Sequence, residues 1–457
     1  MRSFKFATYT LGCKVSQYES EALAEALVAL GGVEVAFGDV ADAYVINTCT
    51  VTAESDAKSR KYIRRALRKN PDAIVAVMGC YSQRAPEEVA KIDGVSIVCG
   101  TADKMNLAPM ILDLLSNKAS HSDRGVSIAD GEGATPKKHN STPIIATKSL
   151  SDEKFEPMCV TKPGRTRAYV KIEDGCECRC TYCAIADARG PVRSKPVAEV
   201  IREVEALSEN GTREVVLTGI ETGSYGADFE EKYDLGDLIF ELDQRGSCER
   251  IRLGSLAPEL IGERFIAKVR ETKILAPHFH LSMQSGSDDV LRRMKRRYNT
   301  EMALRNMGII REAFPNATFT TDLMVGFPGE SEADFENTLD FVRRARFLDC
   351  HVFAYSKRAG TPAATYEGQI SEDVKRKRSE ILIAEKNKVR DQLLEEICSR
   401  GELLPCVFET REGNLWTAHS DTFVEVVAEC EFDISGSLLM VKPSHAKDGI
   451  IYGIIEK

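Results

Sequence analysis

Gly175-Cys176-Glu177-Cys178-Arg179-Cys180-Thr181-Tyr182-Cys183 holds three cysteines at Cys-x3-Cys-x2-Cys spacing: Cys176, Cys180 and Cys183. Thiolates so spaced can wrap one corner of an iron–sulfur cube, taking three of its four irons and leaving the fourth open. An open iron can chelate the amino and carboxylate groups of S-adenosylmethionine (SAM). An electron from the cluster would then split SAM to a 5′-deoxyadenosyl radical. An aromatic before the third cysteine, Tyr182, fits that design. The competing reading is a zinc knuckle or reduced core cysteines. Zinc usually takes four ligands in closely spaced pairs, and no clean second pair follows. Cys178 is a spare thiol within the loop.

Outward from this loop the pattern is strand–helix, repeated about six times from Arg167 onward. The strands read as residues 168–172, 214–218, 250–253, 278–282, 318–325 and 350–355, with amphipathic helices between, such as 197–208, 301–313 and 332–346. Six such units predict a partial (β/α)6 TIM-like barrel, with the cysteine loop after its first strand, at the carboxyl-terminal face. Thr218, Glu221, Ser255 and Gln284 close strands on that same face and are candidate SAM-binding residues, with Tyr182. Each such end, taken singly, also reads as an ordinary βα turn.

Upstream, residues 1–116 alternate strands (5–10, 43–47, 73–78) with helices (16–30, 53–69), which predicts a doubly wound α/β domain. Cys13, Cys49 and Cys80 fall just past its three strands. Ligands of open α/β sheets bind at the carboxyl ends of strands, so three thiols distant in sequence are expected at one crevice, as a second metal site. Unrelated buried cysteines are the alternative. The helix after Cys49 carries Lys58, Arg60, Lys61, Arg64, Arg65, Arg68 and Lys69, either a solvated face or a phosphate-binding surface.

Residues 117–162 are rich in Ser, Thr, Lys and Gly and read as a linker or insertion. Residues 163–399 comprise the barrel and a long charged helix. Residues 400–457 hold five short β runs, read as a small OB-like barrel that either binds nucleic acid or caps the larger one. The whole chain has 457 residues, 43% hydrophobic and 29% charged, with a net charge of −9 and fourteen cysteines. The charge argues against generic nucleic-acid affinity but does not exclude a local basic face. No apolar run is long enough to span a bilayer and no signal-peptide core is visible, so a cytoplasmic protein without a membrane partner is expected. There the cysteines point to metal rather than to disulfides.

Together the motifs resemble the radical-SAM methylthiotransferases over nearly the full length. The wording is nearest to the branch acting on tRNA threonylcarbamoyladenosine, through Thr10-Leu11-Gly12-Cys13-Lys14-Val15, Asn47-Thr48-Cys49-Thr50-Val51-Thr52, His280-Leu281-Ser282-Met283-Gln284-Ser285-Gly286 and Tyr355-Ser356-Lys357-Arg358-Ala359-Gly360-Thr361-Pro362. The resemblance implies two 4Fe–4S clusters, one on Cys176, Cys180 and Cys183 and an auxiliary one on Cys13, Cys49 and Cys80. It also implies SAM as methyl donor and radical source, and a TRAM domain at 400–457. The substrate would be the tRNA anticodon stem-loop, modified at C2 of adenine 37, with an electron donor such as flavodoxin or ferredoxin and a sulfur donor. Arg296 and Arg297 join Lys58, Lys61, Arg64 and Arg65 as expected RNA contacts. The sibling activities, on isopentenyladenosine tRNA or a ribosomal-protein aspartate, and a non-catalytic metal-stabilised RNA-binding protein, are the alternatives. The chain departs from the family wording at Ser16, Glu177, Ala186 and Ala257, none of them a cluster ligand.

Overall fold

The computed structural model describes residues 3–122 and 142–456. They form two compact units: Met1–Val160 with Ala184–Pro191, and Thr161–Cys183 with Val192–Lys457.

In the first unit every strand pairing is parallel. The six strands run in the order Gly32–Glu34, Phe4–Thr10, Ala43–Thr48, Ile74–Gly79, Ile97–Cys99, Ile144–Ala146. Successive side chains of a strand face opposite ways. Val45, Ala76 and Met78 accordingly pack against Leu23, Leu27, Leu107 and Ile111 on one face. Tyr44, Ile46, Val75 and Val77 pack against Ile63, Ala66 and Val89 on the other. The sheet is therefore doubly wound, as its buried strands require. The helix Ala53–Lys69 begins where its apolar spacing predicts, capped by the Thr52 side chain on Ser55 N.

Three features differ from the sequence expectation. Gly32–Glu34, Ile97–Cys99 and Ile144–Ala146 are strands of three residues each, too short to show a period. The segment 117–162 is not wholly a linker: the helix Leu107–Ser122 continues into it and Ile144–Ala146 closes the sheet edge. The rest of that expectation, at 123–141, lies outside the described residues. Finally, Ala184–Pro191, expected within the barrel domain, packs in the first unit.

In the second unit six parallel strand positions form an open arc in two sheets. Arg250–Leu253, Glu214–Thr218 and Arg167–Lys171 make one; Ser255–Leu256, His278–Gln284, Thr318–Val325 and Asp349–Ala354 make the other. The third strand is shared between them and breaks at Gly254, where a Cβ would lie 2.8 Å from Thr222 Oγ1. This is the expected partial (β/α)6 barrel. After the helix Glu372–Arg400, five strands close a small barrel in the order Leu404–Glu412, Leu415–Ser420, Glu425–Glu429, Ile450–Ile455, Leu438–Lys447. It docks on the opening residues of the large barrel's strands. Arg250 Nη2 donates to Pro405 O (2.8 Å), Arg252 Nη1 to Asp421 O (2.8 Å), and Arg167 pairs with Glu409 (3.1 Å). The Phe423 ring lies beneath the Arg167 and Arg252 guanidinium groups, 5.3 and 5.0 Å away. Among the described residues no helix is long and apolar enough to cross a membrane.

Candidate active site

The cysteine loop leaves the carboxyl end of the barrel's first strand and is pinned by backbone rather than by its thiols. Thr181 N donates to Met294 O (3.1 Å), Thr181 Oγ1 to Arg293 O (2.9 Å), and Ala363 N to Thr181 O (2.9 Å). Arg179 adopts a left-handed φ of 43°, which tightens the turn between Cys178 and Cys180. Cys180 is buried, while Cys176, Cys178 and Cys183 are half-buried. The Tyr182 ring packs against the apolar cluster of Val290, Met294 and Phe327.

Arg296, expected at an RNA surface, is instead committed beneath this loop. Its Nη1 donates to Cys180 Sγ (3.1 Å), its Nη2 to Ser282 O (2.8 Å) and its Nε to Tyr298 Oη (2.8 Å). A run of cations in sequence reads as a solvated or phosphate-binding face; here tertiary acceptors, invisible to local pattern, claim one member of the run. Arg297 stays exposed, with Nη2 3.4 Å from Glu177 O. Cys178 shares a hydrogen bond with Cys176. That bond, with the nearby Arg296 and Arg297 cations, holds the Cys178 thiol at about 6.

The strand-end residues gather at the same mouth. Thr218 and Gln284 are buried, Gln284 at a β-bulge with φ of 67°, and Ser255 is half-buried. Glu221 is buried, and burial pushes its carboxyl up to about 8. Its Oε1 accepts from Ala257 N (2.9 Å). Glu173 Oε2 accepts from Glu221 N (2.9 Å), and burial raises the Glu173 carboxyl well above the usual range. Glu173 Oε1 and Thr222 Oγ1 are buried without a hydrogen-bond partner among the described residues. Orphaned buried oxygens cost free energy unless a ligand answers them. Acceptors of this kind suit the ammonium and hydroxyl groups of SAM.

In the first unit Cys13, Cys49 and Cys80 follow the carboxyl ends of three adjacent strands, Phe4–Thr10, Ala43–Thr48 and Ile74–Gly79. The strand order reverses at the first of these, the crevice where open α/β sheets bind ligands. The three thiols are close enough to act on one another electrostatically. Gly79, with φ of 101°, turns the chain into Cys80; a Cβ there would sit 2.4 Å from Asn47 Oδ1 and 2.6 Å from Thr48 O. Arg189 Nε donates to Cys80 Sγ (3.2 Å). Nothing local in the sequence marks this arginine, whose partners include Cys80 and Glu19, distant along the chain. Among the described residues no three His, Cys, Asp or Glu side chains close on one metal ion. Thiolates that each take a different corner of a cube need no such convergence, and guanidinium donors at Cys80 and Cys180 suit anionic sulfur. Both triads fit the group the sequence implies.

The remaining expected RNA residues lie on the helix Ala53–Lys69. Lys58, Lys61, Arg64 and Arg65 are exposed. Lys58 pairs with Glu54 (2.8 Å), and Arg65 sits over the Phe37 and Tyr62 rings. Arg60, Arg64 and Arg68 recur every fourth residue and, with Lys91, line a groove of about 630 Å³.

Comparison with known proteins agrees with this architecture. The model of the Radical SAM superfamily matches residues 170–342, and that of the Uncharacterized protein family UPF0004 matches residues 5–100. The threonylcarbamoyladenosine tRNA methylthiotransferase MtaB of Bacillus subtilis is 38% identical, over 95% of this chain and 93% of its own. A tRNA-2-methylthio-N(6)-dimethylallyladenosine synthase of Alkaliphilus oremlandii is 33% identical, over 85% and 79%. The radical SAM methyltransferase TsrM of Kitasatospora setae superposes with a TM-score of 0.53 at 16% identity, covering 79% of this chain and 77% of that one, a likeness of fold. With near-complete coverage of the Bacillus enzyme and a radical-SAM barrel opening into the cysteine loop, the chain belongs to the tRNA methylthiotransferases of the radical SAM superfamily, in the threonylcarbamoyladenosine branch.

Proposed function

We infer that the protein adds a methylthio group to C2 of N6-threonylcarbamoyladenosine at position 37 of tRNA. The observation that carries this reading is the 38% identity to an MtaB enzyme across 95% of the chain. Cys176, Cys180 and Cys183 would hold one 4Fe–4S cluster and Cys13, Cys49 and Cys80 a second. With SAM bound, the cofactors supply the one-electron chemistry that an unactivated C–H bond demands. The protein's own part is placement. Arg296 fixes Cys180, Glu221 and Glu173 offer acceptors to SAM, and Thr218, Ser255 and Gln284 line the mouth. A flavodoxin- or ferredoxin-like electron donor, a sulfur donor and a cytoplasmic setting complete the reading. The small terminal barrel is read as a TRAM domain.

The threonylcarbamoyl group ends in a carboxylate, and a site built for a polar handle discriminates strongly against a substrate lacking it. Lys357 is exposed and Arg358 buried in the loop after the sixth strand, as cationic candidates. In a reconstituted assay, tRNA bearing threonylcarbamoyladenosine should be methylthiolated, with little product from isopentenylated or unmodified tRNA. Equal or greater product from the isopentenylated tRNA, by nucleoside mass spectrometry, overturns the branch and leaves the radical chemistry standing.

The groove also carries Glu88, which pairs with Arg60 (3.1 Å), and Asp93; its cations Arg64 and Arg68, uncommitted among the described residues, are read as contacts for RNA phosphates. The double variant Arg64→Glu, Arg68→Glu should weaken tRNA binding at every salt concentration. It should also lower the slope of log affinity against log salt by about 2, one per lost contact. An unchanged slope would make the groove a solvated face.

A further inference from the structure

Arg189 ends the short helix Ile185–Arg189 and is fully buried in the first unit. Its Nη1 donates to Glu19 Oε1 (2.5 Å) and its Nη2 to Glu19 Oε2 (3.2 Å), a two-pronged fork that fixes the guanidinium plane. The third edge, Nε, then points at Cys80 Sγ, 3.2 Å away. Glu19 is itself fully buried and braced by Lys104 Nζ at 3.4 Å, while Lys104 reaches Glu156 at 3.2 Å. Thr101 Oγ1 donates to Ala188 O (2.6 Å), clamping the helix that carries Arg189. A buried ion pair alone is weak evidence of purpose, since its desolvation commonly cancels its attraction. Here, however, the fork aims a further N–H, that of Nε, at a sulfur. The barrel's cysteine loop repeats the device independently, Arg296 Nη1 donating to Cys180 Sγ at 3.1 Å.

We propose that Arg189, aimed by Glu19, is the positioning residue of the auxiliary thiolate triad, directing one N–H at Cys80 so that this sulfur is held as a ligand and its cluster is made easier to reduce. The proposal rests on Cys13, Cys49 and Cys80 being cluster ligands. Hydrogen bonds to cluster sulfurs raise the reduction potential, and partners that orient ligands govern retention of the metal.

The test uses full-length protein carrying Cys176→Ala, Cys180→Ala and Cys183→Ala, so that one cluster is read alone. Arg189→Met, Arg189→Lys and Glu19→Gln are added singly, and circular dichroism verifies folding. Redox titration followed by electron paramagnetic resonance gives the midpoint potential; iron lost to a chelator gives retention. Arg189→Met should lower the potential and weaken retention by roughly 10–100-fold, and Glu19→Gln, which frees the guanidinium from its fork, should weaken retention. Arg189→Lys, which keeps a cationic donor, should recover part of the potential. If folded Arg189→Met keeps the parent potential and retention, the proposal falls. Should Arg189→Met not fold, Glu19→Gln decides, and parent-like retention of iron in it overturns the assignment. A triple-alanine parent that binds no cluster refutes the ligand reading, and the proposal with it, and is distinguishable because it fails before Arg189 is altered.

Discussion

Replacing Cys176, Cys180 and Cys183 together with alanine is expected to halve the iron of anaerobically reconstituted protein, from about eight to about four atoms per chain. SAM cleavage and methylthiolation should disappear together. The loss should be clean because the loop does not depend on its thiols for shape. Thr181 anchors it through Met294, Arg293 and Ala363, and Arg296 keeps its bonds to Ser282 and Tyr298 when the Cys180 sulfur is gone. Cys178 sharpens the test, since it shares a hydrogen bond with Cys176 and has the lowered thiol. Cys178→Ala alone should keep both clusters. Loss of four irons in that single variant would move the ligand from Cys176 to Cys178. Zinc in place of iron, or full iron in the triple variant, would end the cluster assignment.

Glu214→Ala should destabilise the second unit by about 3–5 kcal/mol, the cost of stranding buried cations. Glu214 opens its strand fully buried. Its Oε1 accepts from Arg252 Nε (2.7 Å), and its Oε2 from Arg252 Nη2 (3.0 Å) and Arg250 Nη1 (3.1 Å), with Arg167 at 3.9 Å. Burial by itself would raise the carboxyl, but Arg252, Arg250 and Arg167 outweigh it and hold it below the usual range. A depressed carboxylate contributes stability that is complete above its unfolded value, about 4.3, and is lost as pH falls through the folded value. The gap between wild type and variant should therefore be full at neutral pH and narrow in acid below about pH 4. Calorimetric scans of both proteins at neutral and acid pH measure it. A gap under about 1 kcal/mol at neutral pH would reduce the cluster to an ordinary surface ion pair.

The parts of the fold that repeat were open to reading. Strand 214–218 and helix 53–69 have the bounds the sequence predicts, the strand as a short run buried on both faces and the helix because it buries one regular face. The two cysteine triads were visible as positions, since a residue just past a strand is carried to a known edge of the sheet. What the sequence hid is what only tertiary contact decides. Arg296 sits in a run of cations indistinguishable from its exposed neighbour Arg297, and only Cys180, Ser282 and Tyr298 single it out. Arg189 joins Cys80 across 109 positions and Glu19 across 170, separations over which no local pattern survives. Ile144–Ala146 becomes a strand because a sheet edge is available, not because three exposed or half-exposed residues in a polar stretch demand one.

The first unit is assembled from a long segment ending at Val160 and a short one, Ala184–Pro191, encoded after the cysteine loop. On a ribosome adding roughly 5–20 residues per second, the second piece follows the first by some 2–6 s. Through that interval Glu19 and Lys104 have been made but Arg189 has not. The nascent first unit must wait, with its central charge site incomplete, until the barrel's cysteine loop has been synthesised. A gene fragment cut at residue 160 would leave out the same arginine permanently. Loading of the cluster proposed for the amino-terminal triad would thus follow the order of translation, and that isolated fragment would lack the arginine beside Cys80.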